Sequence, residues 1–266
     1  MRIRNYSERT IQTYLHSIEQ VALHFKLPPG KITISQFKSY LYFLINTKEA
    51  SFSRINQDIS AWKILQQDIL GREWEKVIIR RPRGEKKLPV VLSDTEAQAL
   101  IKAPYNEKHR LILTLAYATG VRRNELLSIR LKDIDRERGL IKIQGKGNKQ
   151  REVPLSDNLL CLVEEYYKRY RPSVYLFEGN VLGRAYSESS MANVVKKAAL
   201  KSGIKKNVSP HILRHTFATH MLERGVNLKR LQLLLGHSSM KTTSIYLHLA
   251  DIDKAQLPDL STPLNQ

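Results

Sequence analysis

The sequence predicts a mainly α protein in two parts: an N-terminal helical domain, then a larger, mostly helical domain that carries one small antiparallel β element. Three observations predict it. Apolar residues recur at three- and four-residue steps through most of the chain. One stretch reads instead as two extended runs around a glycine-rich turn. A basic, proline-containing run separates the two helical regions.

In "YSERTIQTYLHSIEQVALHF", Ser7, followed by Arg9 and Thr10, precedes apolar positions Ile11, Leu15, Ile18 and Ala22, which predicts an amphipathic helix. "ISQFKSYLYFLIN" and "SRINQDISAWKILQQDIL" repeat the pattern, with "LPPGK" and "NTKEAS" as breaks, so a small bundle should end near Gly71. "IIRRPRGEKKLPVVLS" then packs Arg80, Arg81, Arg83, Lys86 and Lys87 together. Such a run is either a solvated face or, between two globular parts, a linker lying along a phosphate backbone. The expected boundaries are 1–79 for the helical domain, 80–91 for the linker and 92–266 for the larger domain and its tail. Ser93 caps the next helix, in "DTEAQALIKA". Extended runs from Leu140 to Ile143 and from Glu152 to Leu155 flank "GKGNK", which presents Lys146 and Lys149 at a hairpin tip. Those lysines are either solvated or functional; the P-loop spacing is absent. Ser209 and Pro210 start a helix that Gly225 can end, with Leu213, Phe217 and Met221 as its buried stripe.

Composition narrows the partners. The chain has 266 residues, 42% of them apolar, and a formal net charge of +19. A charge this positive repels itself, so a polyanion is the expected partner: nucleic acid first, an anionic membrane second. No stretch approaches the roughly 20 apolar residues of a spanning helix, and no leader-like N-terminus is evident, so the expected place is the cytoplasm. Cys161, the one cysteine, lies in "LLCLVEEYY" with the spacing of a small core residue, and it has no partner for an intramolecular disulfide.

The chemical candidates lie in the second part. His211 and Arg214 stand three apart near a helix start, where a guanidinium fork, a titratable imidazole and the helix N-terminus could together hold a phosphate. A capping histidine beside a surface arginine is the bland alternative. His211 and His215 have metal-ligand spacing, but no third ligand accompanies them. "LAYATGVRRNELLSIRLKDID" supplies a second device, Arg122 behind Thr119-Gly120, with Glu125 one turn on and able to orient it. A third is the turn at Gly236 and His237, which should be exposed. Cations without an aspartate cluster need an internal nucleophile or an unassisted water to do chemistry on a phosphate. Tyr246, in "TTSIYLHL", is either one more core aromatic or that nucleophile.

The order of these motifs resembles the tyrosine recombinases, the phage-integrase superfamily that also includes the Xer chromosome-resolution recombinases and the integron integrases. The matching stretches are "ATGVRRNELLSI", "GKGNKQREVPL", "HILRHTFATHML" and "LGHSSMKTTSIYLH"; "SERTIQTYLHSIEQV" and "SRINQDISAWKILQQDILG" are similar to the family's SAM-like core-binding domain. The resemblance implies a site-specific recombinase that cuts and rejoins DNA through a 3′-phosphotyrosine and a Holliday junction, with no metal, ATP or other cofactor. It implies that Arg122 and Arg214 clamp the scissile phosphate, that Lys146 protonates the leaving 5′ oxygen, and that His237 donates to the phosphate. Tyr246 is then the nucleophile and His211 its proton acceptor, while Ile245 and Leu247 anchor the helix that aims the hydroxyl. Arg123 and Lys149 are near misses outside the catalytic set; Lys149 joins the basic run as a candidate DNA contact. The implied partners are double-stranded DNA with paired recombination sites, clamped between both domains, and further copies in a tetramer, or a related second recombinase. A tail docked on a neighbouring protomer and a frayed tail remain equal readings of "LADIDKAQLPDLSTPLNQ". With no evident arm-binding domain and no extra stretch before "SPHILRH", the plan is most like the Xer one. Type IB topoisomerases, with the same chemistry on one duplex, and a regulator that lost cleavage are the competing readings.

Overall fold

A computed structural model describes residues 6–74, 88–145 and 150–250. The basic run with Arg80, Arg81, Arg83, Lys86 and Lys87, the hairpin-tip residues Lys146 and Lys149, and the C-terminal stretch after Ala250 lie outside the described residues. The chain divides into two compact units, Met1–Lys87 and Leu88–Gln266.

The first unit packs three helices, α1 (Glu8–Phe25), α2 (Ile34–Asn46) and α3 (Phe52–Ile64). Each begins where a hydroxyl can take an orphan amide: Ser7, Thr33 and Ser51 are the caps, and Gln36 completes a reciprocal pair with Thr33. The core joins Ile18, Val21, Phe37, Leu41, Ile55 and Trp62, with the Phe37 and Trp62 rings stacked at 4.6 Å. α3 runs on through a wider turn, Leu65–Ile69, and the chain leaves it at Gly71, where φ is +63°. The buried stripe of α1 is Ile11, Ile18 and Val21; Leu15, expected in it, is 50% exposed because the stripe advances on the other side of the heptad.

In the second unit α4 (Asp94–Lys102) and α5 (Glu107–Thr119) precede a short α6 (Arg123–Leu127). β1 (Ile134–Asp135), β2 (Leu140–Gln144) and β3 (Gln150–Pro154) form an antiparallel sheet in that order. Gln144 pairs with Gln150 and Leu140 with Pro154, so the ladder starts earlier on its second strand than the apolar pattern indicates. α7 (Asp157–Tyr170), α8 (Glu188–Lys201), α9 (Pro210–Glu223), α10 (Leu228–Leu235) and α11 (Met240–Thr243) follow, and a 3₁₀ turn, Ser244–His248, closes the described chain. Ser209 stands at the N-cap of α9 without a side-chain capping bond.

α9 is the central helix. It is buried from Ile212 to Arg214 and from Thr216 to His220, far beyond one stripe, because α5, α8, α10 and the 3₁₀ turn all pack on it. At its far end the buried His220 meets the Leu92 carbonyl through Nε2 at 2.9 Å and the Tyr117 hydroxyl through Nδ1 at 2.8 Å, which ties α9 to α5 and to the segment before α4. Cys161 is not a core residue. α7 buries Leu159, Val163 and Tyr166, and a position two residues from Leu159 and Val163 alike lies about 200° round the helix, on the exposed side.

Candidate active site

The site grows from the junction of α5 and α6. Gly120 ends α5 in the left-handed region with φ +59°, and a Cβ there would stand 2.1 Å from Phe217 Cδ1 of α9. Glycine therefore serves twice, allowing both the backbone turn and the close approach of α9. Arg122 follows at the N-cap of α6. Its amide donates to Glu125 Oε2 at 2.9 Å, its Nη1 to Oε1 at 2.7 Å, and its Nη2 to the Gly236 carbonyl at 3.3 Å. The Arg122 side chain is still 38% exposed, so part of its donor fork faces outward.

Glu125 is buried and serves a second guanidinium. Arg151 of β3 donates to both its oxygens, at 3.1 and 2.7 Å, and its Nε donates to the Leu234 carbonyl at 2.8 Å. Burial alone would raise the Glu125 pKa; the hydrogen bonds and charges of Arg151 and Arg122 outweigh it and bring the value down to about 2. β3, α6 and the end of α10 are thereby tied through one carboxylate.

Arg214, on the buried α9, is itself 4% exposed. Nη1 donates to the Gly120 carbonyl at 2.7 Å, and Nη2 to the Leu235 carbonyl at 2.7 Å and to His237 Nε2 at 2.8 Å. Burial and the nearby Arg122 lower its pKa to about 10, which leaves it charged at neutral pH. Because a guanidinium only donates, His237 Nε2 accepts; the proton then sits on Nδ1, which faces Thr243 Oγ1 at 3.0 Å. Burial and the adjacent Arg214 push the His237 pKa down to about 4. The turn is exposed at Gly236 and Ser238 as expected, but His237 itself is half-buried and pinned, and in this arrangement its Nε2 takes a hydrogen bond from Arg214 rather than offering one.

Tyr246 lies on the 3₁₀ turn and is 2% exposed, packed with Phe217, Ala218, Leu231 and Leu235. Its neighbours Ile245 and Leu247, expected to be the anchors, are 36% and 41% exposed. The expectation is inverted: a tight turn throws consecutive side chains to different sides, and here the inward one is the tyrosine. Its hydroxyl is 3.0 Å from His215 Nδ1, and its ring lies nearly parallel to that of His237, centroids 6.4 Å apart. Burial raises the Tyr246 pKa, while Arg214 and Arg122 pull against it. His211 is exposed one turn before His215; partial burial of its ring and the charges of Arg123, Arg214 and Arg122 lower its pKa. Arg123 turns away to pair with Glu188 of α8.

Comparison with known proteins matches this chain to the phage integrase family over residues 90–252, and to the phage integrase N-terminal SAM-like domain over residues 1–76. The chain belongs to the phage integrase family. It is similar to the tyrosine recombinase XerD of Staphylococcus saprophyticus, 39% identical over 93% of this chain and 90% of the relative. It is also 35% identical to the integrase/recombinase y4qK of Sinorhizobium fredii, over 94% of this chain and 82% of that one. Among solved structures, that of XerA recombinase is 31% identical, with a TM-score of 0.58 over 94% of this chain and 91% of that one.

As a tyrosine recombinase the chain is a site-specific DNA breaking and rejoining enzyme that works through a covalent intermediate. Its second unit brings Arg122, Arg214, His237 and Tyr246 together, and leaves His211 at the edge of the group. Fixed guanidinium groups stabilise charge that builds on phosphoryl oxygens without reorganising. Two participants are absent from the sequence expectation. Arg151 had a legible signal, since on β3 it shares a face with the buried Val153, and an inward charge needs a partner. His215 had none beyond its spacing from His211, which points to metal rather than to the tyrosine.

Proposed function

We propose that Tyr246 is the nucleophile of this recombinase and that Arg122 and Arg214 bind the scissile phosphate of a double-stranded DNA site. The observation that supports this best is the convergence of Arg122, Arg214 and His237, from segments far apart in sequence, on one buried tyrosine hydroxyl and its surroundings. A phenol of pKa near 10 is roughly one part in a thousand ionised at neutral pH, so the cations around it favour the phenolate as it forms. Tyr246 Oη attacks phosphorus, the 5′ oxygen leaves, and the 3′-phosphotyrosine keeps the diester bond energy for rejoining. Lys146 protonates the leaving 5′ oxygen in this reading. The neutral imidazole of His237 holds Arg214 in place until DNA arrives and then turns a donor to the phosphate.

The first unit is the DNA-binding core domain in this reading, extending to about residue 79, with Arg80, Arg81, Arg83, Lys86, Lys87 and Lys149 as contacts to the DNA backbone. The working assembly is a tetramer, of this chain alone or with a related recombinase, that joins paired sites and exchanges strands through a Holliday junction. Among the described residues no helix is long and apolar enough to cross a membrane; the proposed place of action is the DNA in the cytoplasm.

A nicked suicide substrate tests the reading, because the cut strand diffuses away and the covalent complex accumulates. The wild-type protein is expected to form the adduct on its cognate site, and Tyr246→Phe to form none while still binding DNA. An adduct with the Phe protein would move the nucleophile elsewhere. Two-site substrates that yield no Holliday junction would favour a topoisomerase-like activity.

A further inference from the structure

The hydroxyl of Tyr246 does not face the histidine that family resemblance nominates. His215 Nδ1 stands 3.0 Å from Tyr246 Oη, with the two rings at 5.6 Å and tilted by 49°. His211 is one helical turn away on the exposed side of α9, where the charged groups it faces are Arg122, Arg123 and Arg214. We infer that His215 is the group that takes the proton from Tyr246 when the tyrosine attacks DNA, an assignment that rests on Tyr246 being the nucleophile.

The step balances with His215 as the acceptor and, in the reading given above, Lys146 as the donor. As the Tyr246 Oη–P bond forms and the P–O5′ bond breaks, the phenolic proton moves to His215 Nδ1, and the 5′ oxygen receives its proton from Lys146. Rejoining reverses each step: the 5′ hydroxyl attacks phosphorus, and the His215 imidazolium returns its proton to the departing phenolate. Proton transfer over a 3.0 Å hydrogen bond needs no water and no rearrangement of the acceptor. Nδ1 must then carry the lone pair, which fixes the proton of the neutral ring on Nε2. The titratable and charged groups facing His215 are His211 and Arg214 on α9, His237 after α10, and Tyr246 on the 3₁₀ turn. Burial, His211 and Arg214 lower the His215 pKa below its ordinary value of 6.5, so at pH 7 the ring is neutral and able to accept.

The test replaces His215 by asparagine, whose Oδ1 can occupy the place of Nδ1 and accept the hydrogen bond but cannot take the proton. Single-turnover adduct formation is followed against pH on the nicked substrate, with DNA binding and thermal melting as controls for folding. The wild-type rate is expected to fall on the acid side below pH 6.5 as the imidazole protonates. His215→Asn is expected to lose about 10²-fold in rate and to lose that acid limb, with DNA affinity kept. A wild-type rate in His215→Asn, or an acid limb that survives there and vanishes in His211→Asn, would overturn the assignment. Nitrogen-15 spectra of histidine-labelled wild-type protein give a reading that needs no variant. An acceptor-type Nδ1 at His215 supports the assignment, and a protonated Nδ1 in the neutral ring defeats it. A wild-type protein that forms no adduct at any pH would instead remove the nucleophile itself, a distinct failure.

Discussion

Glu125 is one buried carboxylate between two guanidinium groups, and that ratio decides what each residue contributes. With Arg151 holding both oxygens, Arg122 is not neutralised by a private partner, and its outward donors stay available. Arg151→Gln removes one cation from a buried network and leaves the carboxylate to Arg122 alone. The expected cost is about 3 kcal/mol in denaturant unfolding, with adduct formation slower by roughly tenfold and DNA affinity less affected. Arg151→Lys should fall between, since an ammonium cannot fork across two oxygens. Combined with Glu125→Gln, the losses should not add, because the residues share one network. Nothing comparable could be read for Thr243 or His215, whose parts depend on where the chain returns after α10; local spacing carries no record of that.

The α5–α6 junction shows what an element requires of one position. Gly120→Ala places a Cβ 2.1 Å from Phe217 and forces a left-handed backbone on alanine. Relief requires α9 to move, and α9 carries Arg214 and His215. We expect Gly120→Ala to cost about 2–4 kcal/mol by chemical denaturation and to slow adduct formation even in the fraction that stays folded. Helix ends were legible in part: Ser7 and Ser93 start helices and Gly236 ends one, whereas the caps Thr33 and Ser51 and the left-handed Gly120 at the end of α5 came from the structure. Faces were less so. Periodicity marks the apolar side of a helix but not how many neighbours crowd it, so Leu213, Phe217 and Met221 gave α9 a stripe where the fold surrounds it. The same blindness put Cys161 inside and made anchors of Ile245 and Leu247.

At the scale of the whole molecule, charge sets the response to acid. The chain has 44 Lys and Arg against 25 Asp and Glu, so each carboxylate that protonates adds to self-repulsion. His109, His211, His215 and His237 all have lowered pKa values in the fold, that of His237 down to about 4. Below their ordinary 6.5 the unfolded chain binds protons that the folded chain refuses, so stability falls as pH drops from 6.5 toward 4. Glu125 acts in a lower window: its contribution is complete above the ordinary 4.5 and is lost as pH falls through about 2. Melting temperature against pH should therefore decline in two stages, and His237→Asn should flatten part of the first. A melting temperature that rises from pH 6.5 to 4 would contradict the buried, neutral histidines. The helical character on both sides of the basic run was legible in the apolar periodicity. The acid response was not, because it depends on which histidines the fold buries. A last consequence concerns how such a protein drifts. The arginines of the site hang on the carbonyl oxygens of Gly120, Leu234, Leu235 and Gly236, which every amino acid supplies. At the half-buried position 234 lineages can therefore exchange side chains without unhooking Arg151, so long as the end of α10 keeps its path, whereas Leu235 is also held by its packing against Tyr246, and at 120 the need for glycine leaves evolution almost no latitude.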